Sequence, residues 1–239
     1  MIGQLTGKAT LKSRVIHLKL ILKRNGSQIQ VNLLTCDLKK ILYGNIFDQI
    51  IVSRYADKLC TSDLQFGIKR HCSKNMCAMV LKEALSYYIN NGSSVFCTLL
   101  DATKAFDRVE YVKSFKLLMV RDIPPVSLRL LLNIYTCHGT RIVWNGVCSE
   151  SSSVLNGVKQ VGVFSPVLFC IYLDGLLCRL AESKIGCFIG NVFVGALAYA
   201  DDIALLAPTT RAMRLMLGTC DDLAQEYAIV FNAKKSKCF

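Results

Sequence analysis

Two aspartates stand side by side in the apolar run "ALAYADDIALLAP", at Asp201 and Asp202, and a third, Asp101, follows the apolar run in "SVFCTLLDATKAFD". Burying an unpaired carboxylate costs on the order of several kcal/mol. Cation binding is the chemistry that makes such a placement useful. Hard divalent ions such as Mg²⁺ take oxygen ligands, and they combine a few protein carboxylates with substrate phosphates. Two such ions about 3.5–4 Å apart can clamp the attacking and leaving oxygens of a phosphoryl transfer. The plainer reading of the Asp201-Asp202 pair is a polar turn between two strands, and spacing alone does not bring Asp101 to it.

The elements that would carry these acids can be read from periodicity. Residues 95–100 form a continuous apolar run, β-branched and aromatic at its start, which predicts a buried strand with Asp101 at its tip. Residues 192–207 predict strand, turn, strand with the acidic pair at the turn. Neighbouring residues on a strand face opposite sides, but at a tight turn both can reach one site. Helices are predicted over 38–59, 73–88, 109–120 and 126–136, the last two split by Pro124-Pro125. A further helix is predicted to leave a 157–165 loop and run through Leu180, and Met213, Met216, Leu217, Cys220, Leu223 and Tyr227 mark an amphipathic one. Asn25-Gly26 and Asn145-Gly146 read as hairpin turns, and "DLQFGIKRHCSKN" as a polar, basic loop. Interspersed helices and strands give an α+β fold class.

The chain has 239 residues, 52% of them hydrophobic, enough for a sizeable core and too apolar for disorder. Its net charge of +12 is uneven: residues 1–100 carry 14 Lys+Arg against 5 Asp+Glu. That asymmetry points to a polyanionic partner, nucleic acid first and a membrane surface second, with a solvated basic face as the plain alternative. The twelve cysteines include no CxxC pair, and His71, Cys72 and Cys77 lack a fourth zinc ligand at a sensible spacing. They read as reduced core residues of an intracellular protein, in the cytoplasm or nucleus. The charge-free run 185–200 has only 16 residues, holds three glycines and stops at two aspartates, so it is not expected to span a membrane.

Five segments, in order, resemble the reverse transcriptases of non-LTR (LINE-like) retrotransposons. "YADD" at 199–202 resembles motif C, "LLDATKAFDRVEY" motif A, and "NGVKQVGVFSPVLFCIYLDGL" motif B. "QFGIKRHCS" resembles the family's fingers motif and "FNAKKSKCF" the segment near motif D. The likeness covers residues from about 40 to 239. It implies right-hand polymerase fingers and palm, with an antiparallel palm sheet packed on helices and the thumb absent. It divides the chain into a fingers-like region (1–93), palm with motif A (94–112), helices and a hairpin between motifs A and B (113–155), and palm with motifs B, C and D (156–239).

By position, the resemblance makes Asp101, Asp201 and Asp202 the catalytic and metal-binding carboxylates for two Mg²⁺ ions, or Mn²⁺ in their place. Asp101 and Asp201 would touch both ions. Phe106 would lie under the incoming sugar, Gln160 would line the nucleotide pocket, Lys69 and Arg70 would hold the triphosphate, and Lys235 would meet its phosphates. The implied partners are an RNA template, a DNA primer and dNTPs, without a membrane. The implied activity is RNA-directed DNA polymerisation. Three departures accompany the match: Val161 replaces the glycine after the motif B glutamine, an Arg-Pro-Ile segment is not evident near "QVNLLTCDLKKIL", and the chain stops soon after motif D. They support a second expectation, a truncated, non-catalytic nucleic-acid-binding relic of the same fold. An unrelated metal-dependent phosphotransferase would leave the motif B and "QFG" segments unexplained.

Overall fold

The structure is a computed structural model that describes residues 16–24, 27–35, 38–69, 71–103, 105–136, 139–144, 147–150, 152–153, 157 and 162–239. In chain order the elements are β1 (Ile16–Arg24), β2 (Ser27–Thr35), α1 (Leu38–Arg54), α2 (Lys74–Asn90), β3 (Phe96–Asp101), a 3₁₀ turn (Ala105–Arg108), α3 (Tyr111–Val120) and α4 (Pro125–Thr136). They continue with β4 (Gly139–Trp144), β5 (Val147–Cys148), β6 (Ser152–Ser153), α5 (Phe164–Glu182), β7 (Phe188–Ile189), β8 (Val192–Phe193), β9 (Ala196–Tyr199), β10 (Asp202–Ala207), α6 (Thr210–Glu226) and β11 (Lys237–Cys238). This is the α+β class expected, in two compact units: Met1–Phe47 with Thr136–Leu155, and Asp48–Tyr135 with Asn156–Phe239.

The first unit is built on an antiparallel sheet in the order β1-β2-β4-β5, with β6 also on β4. The registers Arg24↔Ser27 and Trp144↔Val147 leave two residues in each connection, as the hairpin reading required. The turn residues themselves, Asn25-Gly26 and Asn145-Gly146, lie outside the described residues.

The second unit holds the three aspartates. Its antiparallel sheet has the order β11-β3-β10-β9, with α5 against β9 and α6 against β10. α5 is apolar around most of its circumference because it is enclosed: Leu168, Leu173, Leu176, Leu177 and Leu180 are fully buried. It is long and apolar enough to cross a membrane by composition, but 67% of that window is buried inside the fold, as expected of a core helix. The charge-free run at 185–200 supplies β7, β8 and β9 instead of a helix. α6 buries one stripe, Met213, Met216, Cys220, Leu223 and Ala224, at 3.6-residue spacing.

Several boundaries differ from those predicted, for local reasons. α1 ends at Arg54, and residues 55–59 tighten into turns closed by Leu59 N–H donating to the Tyr55 carbonyl at 2.9 Å. α4 starts on Pro125, where a missing N–H leaves no helix bond unmade. α2 and α6 begin behind Ser73 and Thr209, whose hydroxyls accept from Met76 N–H and Ala212 N–H.

Leu173→Ala should lower unfolding stability by about 2–5 kcal/mol in a denaturant titration, whereas Val120→Ala, at a position 81% exposed, should stay within about 0.5 kcal/mol. Equal losses would show that α5 does not organise the core.

Candidate active site

The β3 and β10 ladder puts Asp101 directly opposite Asp202, and β10 pairs Asp202 in turn with Tyr199 of β9. Directly opposed residues share a face of the sheet. Ala200 and Asp201 therefore make a two-residue turn, and the third carboxylate sits at the hairpin tip beside the other two. Burial pushes the Asp201 carboxyl pKa up; its own backbone N–H opposes this, the Asp202 and Asp101 charges add to the rise, and Lys235 lowers it. Among the described residues, no group of three His, Cys, Asp or Glu side chains converges closely enough to hold a metal ion as it stands. The donors are nonetheless all hard oxygens, crowded enough to perturb one another, which suits Mg²⁺.

The C-terminal segment supports Asp101 through its backbone. Asn232 N–H donates to the Asp101 carbonyl at 2.8 Å, and Asp101 N–H donates to Ser236 Oγ at 3.3 Å. Asn232 also shapes its own loop: its Oδ1 accepts from Lys234 N–H at 3.1 Å, and its carbonyl accepts from Ser236 N–H at 2.8 Å. That loop delivers Lys235, whose Nζ lies 3.4 Å from Asp101 Oδ2. Of the two described cations singled out from sequence, Lys69 and Lys235, Lys235 is the one the fold brings to the acids.

Phe106 lies in the 3₁₀ turn and packs on Phe169 of α5, ring centroids 5.0 Å apart. Gly157 locks against this turn: its φ is +92°, its N–H donates to the Val109 carbonyl, and a Cβ there would meet the Asp107 carbonyl oxygen at 3.0 Å. Lys69 is turned into its own loop, donating to the Ser62 carbonyl at 2.7 Å and pairing with Asp63 at 3.2 Å. Gln160, Arg70 and Val161 lie outside the described residues.

Two positions important to this architecture were not singled out from sequence. Asp174 of α5, 5% exposed, accepts from Ser62 N–H and Oγ–H, the latter at 2.6 Å, and meets Arg121 at 3.5 Å. Gln65, fully buried, stands in the fingers-like "QFG" segment with no role of its own expected from sequence, and its contacts are with the acidic turn. An acid within an otherwise apolar helix was the available signal for Asp174. For Gln65 the available signal was its place in the "QFG" segment, which does not reveal its partner.

The family model described as reverse transcriptase (RNA-dependent DNA polymerase) matches residues 21–239. The chain is 31% identical over 168 residues to the retrovirus-related Pol polyprotein of the type-2 retrotransposable element R2DM of Drosophila melanogaster, covering 70% of this chain and 15% of that protein. It is 29% identical over 141 residues to the type-1 element R2 polyprotein of Nasonia vitripennis, covering 59% of this chain. The chain thus spans 15% and 14% of the lengths of these two curated relatives. Among solved structures, apo telomerase from Candida tropicalis superposes with a TM-score of 0.64 at 9% identity, over 98% of this chain and 46% of that one. At that identity the likeness is one of fold.

The raised pKa of Asp201 yields a stability prediction. Its folded-state pKa lies above the unfolded value, so the ionised form weakens folding. This penalty is absent well below the ordinary carboxylate pKa of about 3.9 and complete above the raised folded value. In chelator at pH 7, Asp201→Asn should therefore raise Tm, by about 2–4 °C per kcal/mol relieved, and the gain should shrink as pH falls toward 4. A lower Tm for the variant at pH 7 would show that the carboxylates are already compensated.

Proposed function

The chain belongs to the reverse transcriptase (RNA-dependent DNA polymerase) family, as that domain occurs in non-LTR retrotransposons, and on that premise we propose that it adds deoxynucleotides to a primer 3′-hydroxyl under the direction of an RNA template. The observation that carries the proposal is the register of Asp101 opposite Asp202, with Asp201 in the adjoining turn.

Asp101, Asp201 and Asp202 would hold two Mg²⁺ ions, or Mn²⁺ in their place. When bound, such ions lower the pKa of the attacking hydroxyl and stabilise charge on the α-phosphate and the leaving pyrophosphate. Asp101 and Asp201 would be the shared ligands and Asp202 the weaker third. Phe106, packed on Phe169 in the 3₁₀ turn whose backbone Gly157 approaches, would lie under the sugar of an incoming nucleotide and discriminate against a 2′-hydroxyl. Lys235 would exchange its pairing with Asp101 for the triphosphate once cations neutralise the acids. Lys69, once released from Ser62 and Asp63, and Arg70 would add charge toward the phosphates, and Gln160 would line the nucleotide pocket beside the template.

The basic excess in residues 1–100 supports a role in holding template and primer backbones, which predicts binding that weakens steeply with salt. Val161 favours a second reading, a nucleic-acid-binding relic without catalysis, because a Val side chain crowds an approach that glycine leaves open.

Extension of a DNA primer on an RNA template, followed by gel with and without Mg²⁺, separates the two readings. The polymerase reading expects Mg²⁺-dependent extension that drops to background in Asp201→Ala, and a gain of about tenfold or more in Val161→Gly. Salt-sensitive binding of the duplex without extension in the wild type or Val161→Gly, beside an active control enzyme, would establish the relic.

A further inference from the structure

The "QFG" segment, residues 65–67, was assigned no part in the chemistry above. Gln65 is nonetheless 0% exposed, within a loop whose neighbours Asp63 and Ile68 are exposed. A buried carboxamide has to find partners for both of its ends. Gln65 finds them on one peptide turn. Its Oε1 accepts Ala200 N–H at 2.9 Å and Gly67 N–H at 2.8 Å, and its Nε2 donates to the Ala200 carbonyl at 3.2 Å.

Ala200 is the residue immediately before Asp201, and its φ is +58°. A residue with a Cβ resists that left-handed conformation, and it persists where the surroundings over-determine it. The surroundings here are specific. Phe66 N–H donates to the Ala198 carbonyl and Ala198 N–H donates to the Leu64 carbonyl, both at 2.8 Å, so the segment lies along the edge of β9 as a parallel bridge. Gly67 permits the approach, because a Cβ there would stand 2.5 Å from the Ala200 nitrogen. The carboxamide thus grips both backbone polar groups of Ala200, one on each of the two peptide units that flank it before the acidic tip.

We propose that Gln65 is a positioning residue for the metal-binding carboxylates: by holding Ala200 left-handed it aims Asp201 and Asp202 toward Asp101. The inference rests on reading those three aspartates as the cation site, and the test keeps the two apart. A purely structural clamp would lower stability and leave ion affinity unchanged.

The test is direct Mn²⁺ binding to the full 239-residue chain, read from the loss of the free-ion EPR signal, alongside thermal unfolding. Four proteins are compared: wild type, Asp201→Ala, Gln65→Met and Tyr88→Phe. Tyr88 bridges α2 to Phe188 with two hydrogen bonds remote from the acids and serves as a stability control. Expected is loss of binding in Asp201→Ala, binding weakened by about tenfold or more in Gln65→Met, and wild-type affinity in Tyr88→Phe despite a lowered Tm. Wild-type binding by Asp201→Ala overturns the cation-site reading itself. Loss in Asp201→Ala with affinity within about threefold of wild type in Gln65→Met overturns this inference alone. Should Gln65→Met not fold, hydrogen exchange on the wild type decides. Slow exchange of the Ala200 and Gly67 amides, comparable with the amides of β10, supports the clamp, and fast exchange of the Ala200 amide overturns it.

Discussion

Like charges placed directly opposite each other across a β-ladder repel, and Asp101 and Asp202 occupy such a pair of positions. Asp201 adds a third carboxylate at the turn, partly withdrawn from water. Left to themselves, these groups would splay the hairpin. The strands behind them prevent it: Ile203, Leu205 and Leu206 of β10 and Ala196–Ala198 of β9 are buried, with the enclosed helix α5 and the amphipathic helix α6 packed against the sheet. Burying each of the leucine and isoleucine side chains contributes about 1.5–3 kcal/mol, against a few tenths to about 1 kcal/mol for one like-charged cross-strand pair. The apolar run around the acids is therefore the condition for putting them there.

What surrounds the acidic tip is mostly backbone contact. Asn232 and Ser236 bind the peptide groups of Asp101, Gln65 binds those of Ala200, and Gly157 packs on the 3₁₀ turn that carries Phe106. The physical logic is shared. A side chain that bonded the carboxylate oxygens would use up the lone pairs a cation needs, whereas a hydrogen bond to the peptide fixes the direction of the side chain and leaves its oxygens available. Lys235 is the exception: it does meet an Asp101 oxygen. Its side chain is 68% exposed, and exposed ion pairs contribute about 0–1 kcal/mol, so a divalent ion bound as proposed would displace it at little cost.

The acids and their strands were legible in sequence because two strong local signals coincided. Continuous apolar runs marked β3 and β10, and an aspartate ended or began each one. Antiparallel register did the rest, since pairing two apolar strands of similar length with their acidic ends together brings Asp101 to Asp202. The amphipathic stripe of α6 was equally local. The Gln65 contact is different. It joins positions separated by 135 residues, and its chemistry is a side chain reading a peptide group, which leaves no periodicity or charge pattern. The Asp174 node with Ser62 and Arg121 is hidden for the same reason. The "DLQFGIKRHCSKN" loop looked polar and basic because the buried residues described in it are few: Gln65 and Gly67 face inward while Asp63 and Ile68 face out.

These features place the strain of the site in one residue. Ala200 keeps a Cβ where a glycine would relax. A glycine would also widen the range of directions open to Asp201, because its left-handed and right-handed conformations are nearly equal in energy. Alanine narrows that range, but only if something makes the left-handed state the stable one. Hydrogen bonds to both polar groups of Ala200, in a buried setting where an unmade bond costs about 1–3 kcal/mol, are of the size needed to offset a left-handed penalty of about 1–2 kcal/mol. A strained but unique turn then orients charged side chains better than a relaxed one with several conformations. The distant core that tolerates three crowded carboxylates tolerates this strain by the same surplus.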